Sequence, residues 1–246
     1  MAIKKILISQ NKGSNRSPYD YLQEKYGVII DYRKFIKIEG LSLKEVRKQK
    51  VDFNDYSAII FTSKVSVDYF FKLIEDMKFT IPSTMKYVCI NEVIALYLQK
   101  YTVYRKRKVA YGQGTYDSLI EVIKRMENEK FLLPVAENHK GSFPNKLKKH
   151  KIDFDKVVLY RTVSEDLSDV KIDDYDIVTF FSPAGLKSLI ENFPDFTEKG
   201  IKLAVYGSES QKEAKKLGLN IDIKAPTKKF PTMVKALEYY IKKYND

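Results

Sequence analysis

Among its 246 residues the chain has no tryptophan, two histidines and one cysteine. The lone thiol, Cys89, excludes an internal disulfide, and its place inside the apolar run YVCI makes it a buried structural thiol rather than a nucleophile. His139 and His150 sit in lysine-rich polar stretches with no second His, Cys or carboxylate at ligand spacing, so no metal site is expected. Glycine and proline are sparse, at 10 and 8 residues, while hydrophobic residues make up 44% and charged residues 31%. That balance excludes a disordered or fibrous chain. No apolar run approaches the roughly 18 residues of a membrane span, and the opening MAIKKILISQ lacks the apolar core of a secretory leader. The expectation is a soluble, cytoplasmic protein with no membrane partner. Nucleotide signatures are missing too: GQGTYD at 112–117 has two glycines but not the third of a dinucleotide-binding turn, and no phosphate loop follows the first apolar strand.

What the chain has in excess is positive charge. Lys and Arg total 44 against 32 Asp and Glu, a formal net charge of +12. Only 7 of the 44 are arginine, leaving 37 lysines. A polyanionic partner is implied, but scarce arginine weakens the case for nucleic acid, whose phosphates and guanines favour the bidentate guanidinium. A lysine-rich solvated surface with no target is the bland alternative, and RKRK (105–108) and KLKKHK (146–151) read most simply as such faces.

Strand and helix signals alternate throughout. Strand patterns fall at 3–9, 57–63, 86–90, 108–111, 131–134, 176–182, 202–207 and 220–224, with extended stretches at 28–38 and 153–163. Helix patterns fall at 17–25, 65–76, 92–100, 115–127, 143–150, 184–192, 209–216 and 232–243. Buried strands separated by helices predict parallel sheets covered on both faces, the doubly wound α/β class.

An internal repeat then predicts two domains rather than one. Tyr56–Ser63 (YSAIIFTS) aligns without gaps on Tyr175–Ser182 (YDIVTFFS), and Lys86–Asn91 on Lys202–Gly207. Upstream, Ile6–Ile8 and Lys12–Ser14 have counterparts in Phe131–Leu133 and Lys140–Ser142, and Leu22–Phe35 in Leu147–Tyr160. Four units in one order point to a tandem duplication. Two such units have one natural binding place, a cleft at the carboxyl ends of both sheets. The strand-to-helix turns expected to line it contain Thr62, Ser63 and Lys64; Asn91; Ser182 and Pro183; and Gly207, Ser208 and Ser210. Small hydroxylated residues and backbone N–H groups at helix N-termini suit an anion, though Ser and Thr there can equally be plain helix caps.

These segments together carry a resemblance. The strand ends FTS (61–63) and FFSP-x-G (180–185), the LYRTV segment (159–163), VYGSESQKEAKKLG (205–218) and the closing APT-x-x-x-PTM-x-x-AL (225–237) resemble the uroporphyrinogen-III synthase family in order and spacing over essentially the whole chain. The resemblance implies a lyase of tetrapyrrole (haem) biosynthesis that converts linear hydroxymethylbilane to uroporphyrinogen III, losing water and inverting the last pyrrole ring through a spiro intermediate, without a cofactor. It implies a first domain of residues 1–36 plus 165–246 and a second of 40–160, joined by crossovers at 35–40 and 160–165. It makes Tyr160 the candidate acid and the turn residues the contacts of a small-molecule polycarboxylate; a monomer is expected. The chain departs from the family pattern in having Gln10 where arginine is common, Asn91-Glu92-Val93-Ile94-Ala95 in place of Gly-x-x-Thr-Ala, and Ser210, preceded by the acidic Glu209, for threonine. A non-catalytic two-domain module binding a polyanionic ligand or RNA is the alternative; no stacking motif among the 18 Tyr and 14 Phe supports it.

Overall fold

The computed structural model describes residues 2–13, 16–126, 128–139, 141–197 and 200–245. Ser14 and Lys140, both part of the repeat alignment, lie outside them. The chain divides into two compact units, Met1–Lys37 with Val163–Asp246, and Ile38–Thr162.

Unit 1 begins with β1 (Lys5–Ile8), α1 (Asp20–Tyr26) and β2 (Ile29–Tyr32). The chain then crosses through β3 (Ile36–Gly40) into unit 2: α2 (Leu43–Arg47), β4 (Ala58–Phe61), α3 (Lys64–Asp76), β5 (Lys86–Cys89), α4 (Glu92–Tyr97), β6 (Val109–Tyr111), α5 (Tyr116–Lys124), β7 (Phe131–Ala136) and α6 (Ser142–Lys149). It returns along β8 (Phe154–Ser164) and finishes unit 1 with β9 (Ile177–Phe180), α7 (Pro183–Asn192), β10 (Lys202–Tyr206), α8 (Ser208–Lys216), β11 (Ile223–Ala225) and α9 (Met233–Asn245). Among the described residues no helix is long and apolar enough to cross a membrane.

The sheet of unit 1 has the order β11-β10-β9-β1-β2, and its pairs run parallel. The second sheet has the order β3-β8-β7-β4-β5-β6, with its five strands from β8 to β6 also parallel. Matching β1 with β7, β2 with β8, β9 with β4, β10 with β5 and β11 with β6 gives the two sheets one common order. The first four of these pairs are the ones the repeated segments predict, and β11 with β6 extends the match, so the duplication is structural as well as sequential.

Alternation along the strands accounts for the layers. In β4, Ile59 and Phe61 enter one core with Val67 and Phe70 of α3 and Ile94 and Ala95 of α4, while Ala58 and Ile60 enter another with α5 and α6. In β1, Ile6 and Ile8 face α1 and α9, and Leu7 faces Leu186 and Leu189 of α7 and Ala214 of α8. Strands buried on both faces read as continuous apolar runs, which is why they are plain in the sequence.

The structure adds elements that the periodicity does not predict. α2 is held by a reciprocal capping box: the Ser42 hydroxyl accepts from the Glu45 N–H, and the Glu45 carboxylate accepts from the Ser42 N–H. Residues 106–108 of the RKRK run form a short 3-10 turn leading into β6, and 98–100 another after α4, so the helix read at 92–100 changes type at its last turn. The strand read at 220–224 is displaced to 223–225.

Candidate functional site

In each unit the strand order reverses direction once, at β1/β9 and at β7/β4. Such a switch point is where a doubly wound sheet opens a crevice at its carboxyl edge. The candidate residues fall on these edges, those of unit 2 being Thr62, Ser63, Lys64, Asn91 and Tyr160.

Sheet register brings two of these unit 2 residues, Ser63 and Tyr160, level with Ala136 of β7. Ala58 and Ile59 of β4 oppose Phe131 and Leu132 of β7; carried forward at the same offset, Ser63 stands level with Ala136. Ala136 in turn opposes Tyr160 of β8, because a bulge between Val135 and Ala136 inserts Leu159 as an extra residue. The bulge matters for direction. Simple alternation would turn Tyr160 away from Val157 and Leu159, yet all three pack on the core that α3 covers. The Tyr160 carbonyl accepts from the Glu137 N–H at 2.8 Å, and its half-buried ring stacks on Tyr69 of α3, centroids 5.2 Å apart. Burial pushes the Tyr160 phenol above its ordinary value of 10.0, and a hydrogen bond with the Ser63 side chain opposes that rise without cancelling it. At neutral pH the group is therefore a protonated donor.

The turn residues around it are engaged as caps. Ser63 Oγ accepts from the Ser66 N–H at 3.1 Å, while its own N–H donates to Ser66 Oγ at 3.3 Å. Asn91 Oδ1 accepts from the Ile94 N–H at 3.0 Å. Each such cap stabilises its helix by about 1 kcal/mol, so part of the donor set foreseen for an anion is already in use. Thr62 is half-buried beside Ser63. Lys64 is exposed, with Nζ 5.1 Å from the centroid of the Tyr97 ring.

In unit 1, Ser182 Oγ accepts from the Gly185 N–H at 3.1 Å. Pro183 opens α7 with no N–H to offer, which leaves shape as its contribution. Gly207 holds φ 87° and ψ 145°, a conformation that favours glycine, and its N–H donates to the Ala225 carbonyl at 2.7 Å. Ser208 opens α8 on the surface; Ser210 is only 2% exposed. Glu209, the acid in the turn between them, is exposed and accepts from Lys212 Nζ at 3.2 Å. The Gln10 N–H closes a tight turn onto the Ile8 carbonyl at 2.8 Å. Cys89 is fully buried, and burial pushes its thiol up to about 12, which leaves it inert.

Sequence reasoning misses Tyr69. In the run VSVDYFF it reads as one more aromatic of an amphipathic helix, and only the bulge in β8 makes it the neighbour of Tyr160.

The Uroporphyrinogen-III synthase HemD family model matches residues 20–235. The structure is similar to that of uroporphyrinogen-III synthetase from Helicobacter pylori, at 18% identity and a TM-score of 0.57 over 98% of this chain and 99% of that one. It is also similar to a mutant uroporphyrinogen III synthase from Thermus thermophilus, at 13% identity and a TM-score of 0.50, covering 98% and 99%. At such identities the structural likeness speaks for the fold. No curated protein sequence matches the chain.

Proposed function

We propose, for a chain that belongs to the uroporphyrinogen-III synthase family, that the Tyr160 phenol is the acid of the reaction. The reaction itself is the family's: linear hydroxymethylbilane is closed to uroporphyrinogen III with inversion of the last pyrrole ring. The carrying observation for Tyr160 is its aim. A bulge turns the ring onto the face of α3, level with Ser63, where it stacks on Tyr69, and like any phenol it carries its proton at neutral pH.

The chemistry needs little beyond that donor and the right fold of the substrate. The C–O bond of the hydroxymethyl group breaks as the Tyr160 proton passes to the departing oxygen, so that water leaves and an azafulvene cation remains. Attack by the last ring at its substituted carbon gives the spiro intermediate, and rearrangement delivers that ring inverted. The proton lost when the macrocycle closes restores the phenol. Elimination of water places the enzyme among the lyases. Rate then depends on holding the bilane in the coiled geometry that excludes uninverted closure. For an octacarboxylate, the helix N-termini at Thr62–Lys64, Asn91, Ser182–Pro183 and Gly207–Ser208 are the contacts we assign, the buried Ser210 being closed to it, aided by the long-range field of a chain of net charge +12.

The pH profile tests the acid. A phenol must be protonated to donate, and burial moves its ionisation above 10.0. The kcat for isomer III should therefore hold level through neutral and mildly alkaline pH, and fall only above that value. A fall centred well below it would assign the acid to another group.

A further inference from the structure

Tyr160 is one of 18 tyrosines, and a half-buried strand tyrosine can take more than one staggered χ1 rotamer unless something fixes it. What lies against it is a second tyrosine held at both ends. The Tyr69 ring stacks on the Tyr160 ring at a centroid distance of 5.2 Å and an interplanar angle of 21°. Its hydroxyl donates to the Ile38 carbonyl of β3 at 2.9 Å. Its edge lies over Gly40: a Cβ built there would stand 2.8 Å from Tyr69 Cε1 and 3.0 Å from Cδ1. Any other residue at 40 would have to move this ring. The strand β3 is itself pinned from the side, since Arg161 reaches Glu39 at 3.2 Å and Glu45 at 2.8 Å.

We propose that Tyr69, seated over Gly40 and tethered to Ile38, is a positioning residue that fixes the Tyr160 phenol for proton donation. Tyr69 does not touch the reacting atoms; it acts through Tyr160 by closing off the rotation that would swing the hydroxyl away. The proposal rests on Tyr160 being the acid. A displaced donor costs rate rather than substrate affinity, so the effect belongs in kcat.

Two variants separate the parts of the device. Gly40→Ala keeps every hydrogen-bonding group and meets a movable ring rather than backbone, the nearest backbone atom being the Leu159 oxygen at 3.9 Å; the fold survives while Tyr69 shifts. Tyr69→Leu removes the stacking partner and keeps a helix-forming apolar residue. Each should lower kcat for isomer III about tenfold with KM within about twofold. Tyr69→Phe keeps the ring and should lose only about threefold. In the Tyr160→Phe background the same changes should have no further effect. The second readout is independent of turnover: with ring-labelled tyrosine, the Tyr160 resonance, assigned by its loss in Tyr160→Phe, should titrate at lower pH in Tyr69→Leu as water reaches the phenol. An unmoved titration with unchanged kcat overturns the positioning role. A moved titration in a protein whose Tyr160→Phe variant turns over normally sinks the acid assignment instead, and leaves the fixing of Tyr160 by Tyr69 standing.

Discussion

Tyr160→Phe should lower kcat for isomer III by about ten- to a hundredfold, at or below the low end of the roughly 10²–10⁴-fold that a positioned acid contributes. The loss is modest because the electron-rich pyrrole expels its leaving group with little help, so the phenol accelerates a step that also occurs without it. KM should stay within about twofold, since a group that acts only as charge develops stabilises the transition state and not the bound substrate. Folding should be intact. Phenylalanine keeps the ring on Tyr69 and removes only a hydroxyl from a half-buried side chain. The comparison of steady-state kinetics with a urea midpoint separates the two effects. Unchanged kinetics would remove Tyr160 from the chemistry; a collapsed midpoint would make it a packing residue.

The largest loss of stability is expected two strands away, beyond β7. Phe61 closes β4 immediately before the Thr62–Ser63 turn and is fully buried. Its ring meets Phe70 edge-on at 5.5 Å and lies nearly parallel to Phe71 and Tyr87 at 6.3 and 6.2 Å. Phe61→Ala removes the shared partner of three rings that other contacts hold in place, so the cavity cannot close. The cost should be about 3–5 kcal/mol, a large part of the roughly 5–15 kcal/mol that stabilises a typical domain. A urea titration followed by circular dichroism reads it directly. A loss under about 1 kcal/mol would mean that this cluster is loosely packed and repacks freely.

The two expectations differ in how far the sequence announces them. Phe61 is legible, because SAIIFTS is an apolar run of unit 2 whose counterpart DIVTFFS lies in unit 1, and both end in a hydroxylated turn that caps a helix. Parallel strands buried on both faces leave that kind of mark. α2 was legible in principle, since Ser42-x-x-Glu45 is a capping box; its five residues are too few to show a period. The setting of Tyr160 was not. The bulge at Val135/Ala136 contains no glycine to betray it, and a one-residue insertion reverses which face the next side chain takes. From alternation alone, Tyr160 belongs on the face opposite Leu159, away from Tyr69. The caps carry the converse lesson: Ser63, Asn91 and Ser182 were recognisable as N-cap residues, but only the structure shows their side chains accepting from Ser66, Ile94 and Gly185. Gly40 has positional meaning in the same way, as the seat of a ring that lies far from it in sequence.

The central claim is that this chain folds and closes a linear tetrapyrrole with one ring inverted. Hydroxymethylbilane closes by itself to isomer I, so the ratio of isomers reports the enzyme against an internal background. Incubated with purified protein and oxidised to the porphyrins for chromatographic separation, hydroxymethylbilane should give isomer III in an amount that rises with protein concentration, at the expense of isomer I. Isomer I alone, formed at the spontaneous rate whatever the protein concentration, would contradict the account.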